Sequence, residues 1–105
     1  MANELVVIEA MKEVCSTVNT LVSSCKKTGM INKAQMRYAA IKIDEYLQIQ
    51  RSNAVHAVAN NNIRNIQSTF ELIKGMKLEG AALTYAMRQL DIEVDALERI
   101  LEEMK

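Results

Sequence analysis

The side chains of this 105-residue sequence that could do chemistry are few: a single histidine, His56, two cysteines, Cys15 and Cys25, and scattered hydroxyls and carboxylates. Helical spacing places Ser52 one turn before His56, the pairing a hydrolase would use as nucleophile and base, but Ser52 serves equally well as a helix cap. Asp44 and Glu45 are neighbours in sequence and so point in different directions on a helix. Cys15 shows no activating neighbour. Cys15 and Cys25 lie on one helical stripe about 15 Å apart, too far to bridge each other, and read as small buried apolar residues. No C-x-x-C or H-x-x-x-H spacing occurs, so no metal site and no cofactor are expected, and the chain is expected not to be an enzyme.

The elements that must position these residues are legible from apolar spacing. Near the C-terminal end, Leu83, Met87, Leu90, Val94, Leu97, Leu101 and Met104 recur at 4,3,4,3,4,3, and near the N-terminal end Ile8, Met11, Cys15, Val18, Val22 and Cys25 recur at 3,4,3,4,3. This is the seam spacing of helices that pack lengthwise on other helices. Half the residues are apolar but only four are aromatic, there is no proline, and the three glycines stand at 29, 75 and 80. The chain is therefore expected to be a single helical domain, residues 1–105, of long helices with few turns.

The first helix is expected to start near Asn3, with Glu4 in its first turn, and to stop at Lys26, Lys27 and Gly29. Asn32 followed by Gln35 is a capping-box pattern, with Ile31 and Met36 spaced as a hydrophobic staple, so residues 28–32 should turn between antiparallel helices. Between 33 and 74 there is no glycine or proline. The simplest reading is one helix of about 42 residues, roughly 63 Å long. Its apolar face changes direction, however. Met36, Ala40, Ile43, Leu47 and Ala54 form one stripe, and Ala59, Ile63, Ile66, Phe70 and Ile73 form another about 140° away.

Two architectures follow. The favoured one is an all-α antiparallel bundle of three helices with a long central helix, whose two open hairpins a dimer would complete. The alternative is a closed four-helix bundle with a break near Ser52, where Ser52 or Asn53 would cap a new helix. Asn60, Asn61 and Asn62 weaken a continuous helix by about 1 to 2 kcal/mol relative to alanine. The second turn is placed at 74–80, where Gly75 and Gly80 bracket Met76 and Leu78.

Charge excludes some partners. The formal net charge is zero, so no global field steers the protein to nucleic acid or to an anionic membrane. The longest apolar runs, 5–8 and 38–41, are far shorter than the roughly 20 residues of a bilayer span. Glu4 and Glu9 flank the first apolar stretch, which reads against a secretory signal, and a cytoplasmic location is the expectation.

Three surfaces remain as partner-binding candidates. Ser16, Thr20 and Ser23 belong to a charge-free polar face on the first helix, and Asn61, Asn65 and Ser68 to a similar one in the middle. Short uncharged side chains let another surface approach at modest desolvation cost. Lys26, Lys27, Lys33 and Arg37 surround the first turn as a small basic patch. Residues 82–101 resemble a helix-turn-helix, with the turn at Asp91, but its second helix would carry Glu93, Asp95 and Glu98 toward phosphates. The leading expectation is a helical protein–protein interaction module, an adaptor, inhibitor or regulator that binds itself as a homodimer or binds a larger protein. A helix-turn-helix-like DNA-binding regulator is the alternative.

Overall fold

Where each helix stops is set by a few backbone groups that need partners outside the regular ladder. A computed structural model describes residues 4–51 and 57–104, which form four helices: α1 (Glu4–Thr28), α2 (Lys33–Arg51), α3 (Ala57–Met76) and α4 (Gly80–Met104). Asn3, which the sequence reading used as a cap, lies outside the described residues, as do Ser52, Asn53, Ala54 and His56. Helix α1 ends at Gly29, whose φ of 74° is left-handed and whose N–H donates to the Cys25 carbonyl at 2.7 Å. Asn32 caps α2: its Oδ1 accepts from the Gln35 N–H at 3.0 Å. Only this half of the capping box forms, because Gln35 Oε1 is buried with no hydrogen-bond partner among the described residues.

The single helix from 33 to 74 does not exist; α2 and α3 are separate and fold back on each other. Gln67 Nε2 donates to Asp44 Oδ1 at 3.4 Å across a sequence separation of 23, a span of about 35 Å on an unbroken helix. The longest extent of the fold is 42 Å, shorter than the roughly 63 Å such a helix requires. The reason was present in the stripes. Two apolar faces 140° apart on one rigid rod cannot enter one core, whereas reversing the chain between them lets both point inward.

The second turn also differs from expectation. Gly75 lies inside α3, and the left-handed residue that ends the helix is Lys77, at φ 49°. Leu78 N–H donates to the Ile73 carbonyl at 3.3 Å, the six-to-one bond of a Schellman motif, and Leu78 packs half-buried against the core.

Helix α1 packs on α2 and α4, α3 packs on the same two, and α2 against α3 is the slightest of these contacts. Lys26 meets Asp91 and Asn19 meets Glu98, so α1 and α4 run antiparallel. The N-terminal seam and the stripe Ala59, Ile63, Ile66, Phe70 and Ile73 are buried throughout, as is the C-terminal seam through Leu101, with Met104 half-buried. On α2 the expected face is rotated. Ala39, Ile43 and Tyr46 are fully buried, while Met36, Ala40 and Leu47 only flank the core. No described helix is long and apolar enough to cross a membrane.

Candidate functional site

Helices α3 and α4 form an antiparallel hairpin whose register is held by one carboxylate. Asn62 Nδ2 donates to Glu93 Oε2 at 2.7 Å and Asn65 Nδ2 donates to Glu93 Oε1 at 3.3 Å. Both carboxylate oxygens are thereby occupied by amides, while Asn62 Oδ1 is buried without a partner among the described residues. The two asparagines mark the flank of α3 that turns toward α4. On the outward side of that flank, Val58, Asn61, Asn65, Ser68 and Leu72 recur at 3,4,3,4, all of them exposed.

Helix α4 answers with a second seam beside its buried one. Ala82, Tyr85, Gln89, Ile92 and Ala96 recur at 3,4,3,4, a series turned on average roughly 100° to 120° from the core-facing Leu97 and Leu90. Neither series contains a charged side chain. Val58, Leu72, Met76, Tyr85 and Ile92 are each more than half exposed. The outer face of the α3–α4 hairpin is thus a surface of apolar and neutral polar groups flanked by Arg64, Glu71, Arg88, Asp95 and Arg99. Such a surface costs little to desolvate against another protein.

The candidate residues do not gather at one place. Asn61, Asn65 and Ser68 lie on this face. Ser16, Thr20 and Ser23 are exposed on α1, which makes no contact with α3, so they belong to a different surface. Some of the hydroxyl capacity on α1 is spent internally: Thr20 Oγ1 donates to the Ser16 carbonyl at 3.0 Å, Thr28 Oγ1 to Ser24 at 3.0 Å, and Thr17 Oγ1 to Glu13 at 2.9 Å. Thr20, Ser23 and Gln35 border a shallow depression of about 450 Å³.

The basic patch is divided. Lys26 reaches across to Asp91 at 2.7 Å, away from Lys27, while Lys33 and Arg37 stand on α2. Beside the Lys26–Asp91 pair lies a notch of about 440 Å³ floored by Cys25, Leu83 and Met87. The two thiols are buried and unpaired. Burial, reinforced by Glu98, pushes Cys15 up to about 12, and burial raises Cys25 as well, the opposite of what a nucleophilic thiol requires. No group of three His, Cys, Asp or Glu side chains among the described residues could hold a metal ion.

The helix-turn-helix likeness of residues 82–101 has no turn. Asp91 sits inside the uninterrupted helix α4, because its seam passes from Leu90 to Val94 without losing phase. Val58, Leu72, Tyr85 and Ile92 are not among the residues that the sequence singles out. The 3,4,3,4 series that contain them are weaker than the buried seam on the same helix.

With this geometry, the molecule is an all-α protein whose α3–α4 hairpin carries an uncharged outward face. No protein-family model matches the chain, and neither a curated protein nor a solved structure matches it significantly.

Proposed function

We propose that the protein is a non-enzymatic helical protein–protein interaction module, a small adaptor, inhibitor or regulator, and that it works by binding either a second copy of itself or a larger protein. Its four helices pack compactly, with α1 and α3 each against α2 and α4, which supports a contact through a surface outside the core rather than through an unfinished seam. The observation that carries this reading is the clustering of Val58, Leu72, Met76, Tyr85 and Ile92 on one face that bears no charge along either seam. Two unpaired buried thiols support a reducing, cytoplasmic setting.

The test compares three immobilised baits in extracts of the source cell: the unmodified chain, a Leu72→Glu/Ile92→Glu variant and a Ser16→Glu variant on α1. Proteins retained by the first and third and lost by the second are the expected result. Equal retention by all three would mean that the face makes no contact.

A further inference from the structure

We propose that the occupant of the α3–α4 face is a second copy of this chain, docked about a two-fold axis that crosses the hairpin at the height of Asn65 and Ile92. The proposal rests on the contact-face reading above and adds the partner and its register.

The face is self-complementary about that height. Val58, Asn65 and Leu72 stand seven residues apart, and so do Tyr85, Ile92 and Arg99. Seven residues is close to two helical turns, about 10.5 Å, so each set forms a row on one side of its helix. The Asn65–Glu93 hydrogen bond puts Asn65 and Ile92, the middle members of the two rows, within about one turn of the same height.

A two-fold axis perpendicular to the helices at this point lays α3 against α3 and α4 against α4 of the second copy, each running the opposite way. Positions equally far from the centre then meet. Val58 faces Leu72 of the second copy, closing two apolar contacts at the ends of α3, and Asn65 faces its own counterpart, where two amides can pair. On α4, Ile92 packs on Ile92. Tyr85 meets Arg99 of the second copy, a ring against a guanidinium, and Arg88, four residues before the centre, comes within one residue of the height of Asp95, three after it.

Charge and area support this occupant over a foreign one. The seams carry no charge, and the flanking charges of α4, Arg88, Asp95 and Arg99, fall near an acid, a base and an aromatic ring in turn when the chain meets itself, while Arg64 on α3 stands at the rim beside its own counterpart. An unrelated target would have to supply that alternation. The face spans about 27 Å along the helices and about 20 Å across two of them. That is roughly 540 Å² in projection before corrugation, approaching the ~800 Å² per partner of a standard interface and suited to a reversible dimer.

The experiment is light scattering on the full chain over a concentration series, joined to oxidative cross-linking of Ile92→Cys. The expected mass at high concentration is twice 11.8 kDa, falling on dilution. Ile92→Cys lies on the axis, so it should give a disulfide-linked dimer under mild oxidation, whereas Ser16→Cys on α1 should not. Leu72→Glu should weaken the dimer by at least about tenfold while its far-UV circular dichroism matches the unmodified chain. A monomer at every concentration overturns the second copy as occupant. A dimer that Ile92→Cys fails to cross-link overturns the register. A monomer whose captured proteins are still lost in the Leu72→Glu/Ile92→Glu variant leaves the contact face standing. A monomer whose capture ignores that substitution removes both readings.

Discussion

The two hairpins of this fold expose similar groups on their outward surfaces but arrange them differently. Threonines back-bond to carbonyls of their own helix in both, Thr20 and Thr28 on α1 and Thr69 and Thr84 on α3 and α4. Both also expose large apolar side chains, Leu5, Val6, Tyr38 and Ile41 on α1 and α2 against Val58, Leu72, Met76, Tyr85 and Ile92 on α3 and α4. The difference lies in the amides of Asn62 and Asn65, which reach between helices to Glu93, and in the uncharged series that run beside them on α3 and α4. A face of half-exposed Val, Leu, Met, Tyr and Ile along such series gains by acquiring a partner, at roughly 25 cal/mol per Å² of apolar area covered.

The largest effect that separates interior from face concerns two leucines. Leu97 is fully buried, so Leu97→Ala should cost roughly 2 to 5 kcal/mol in denaturant melts. Leu72→Ala, on the face, should stay within about 0.5 kcal/mol for the isolated fold while weakening self-association. Comparable losses in the melts would mean that Leu72 belongs to the core.

Alkaline pH probes the interior next. Burial pushes Tyr46 from 10.0 up to about 12 and Cys15 from 9.0 up to about 12. Both hold their protons more tightly folded than unfolded, so their contribution to stability is complete below about pH 9 and is lost as pH rises toward 12. Tyr46 OH has no hydrogen-bond partner among the described residues. Tyr46→Phe should therefore raise stability at neutral pH by about 1 kcal/mol and flatten part of the alkaline decline, both read from thermal melts across pH.

The two glycine-region turns give opposite signs. Gly29 holds a left-handed φ of 74°, and Gly29→Ala should cost about 1 kcal/mol. Lys77 holds 49° without being glycine, so Lys77→Gly should stabilise by up to about 1 kcal/mol. The smallest effect belongs to the polar face of α1: Thr20→Ser keeps the hydroxyl and should change stability by less than about 0.5 kcal/mol.

These contrasts also show what a sequence can carry. The Asn32 cap, the Gly29 stop and the buried stripes of α1, α3 and α4 were legible, because caps and apolar periodicity are local. The reversal between α2 and α3 was less so, since no glycine or proline marks it; the phase jump between the two stripes, the cap candidates Ser52 and Asn53 and the run of Asn60, Asn61 and Asn62 pointed to it. On α2 the burial of Ala39 and Tyr46 rotates the core face from the Met36, Ala40, Ile43 and Leu47 stripe that apolar spacing predicts. Lys77 was illegible because the left-handed turn is imposed by the Leu78–Ile73 bond and by Leu78 packing on the core, not by the residue in the turn. Of the exposed α3–α4 face, the uncharged Asn61, Asn65 and Ser68 stand out in the sequence. Leu72, Tyr85 and Ile92 needed the fold to show which of two seams faces out.

The most direct test of the account is a dilution series of backbone amide spectra on uniformly labelled protein. The amides of 58–72 and 85–96 should shift with concentration while those of Ser16, Thr20 and Ser23 stay fixed. Shifts confined to α1, or none at millimolar concentration, would contradict self-association through the α3–α4 face.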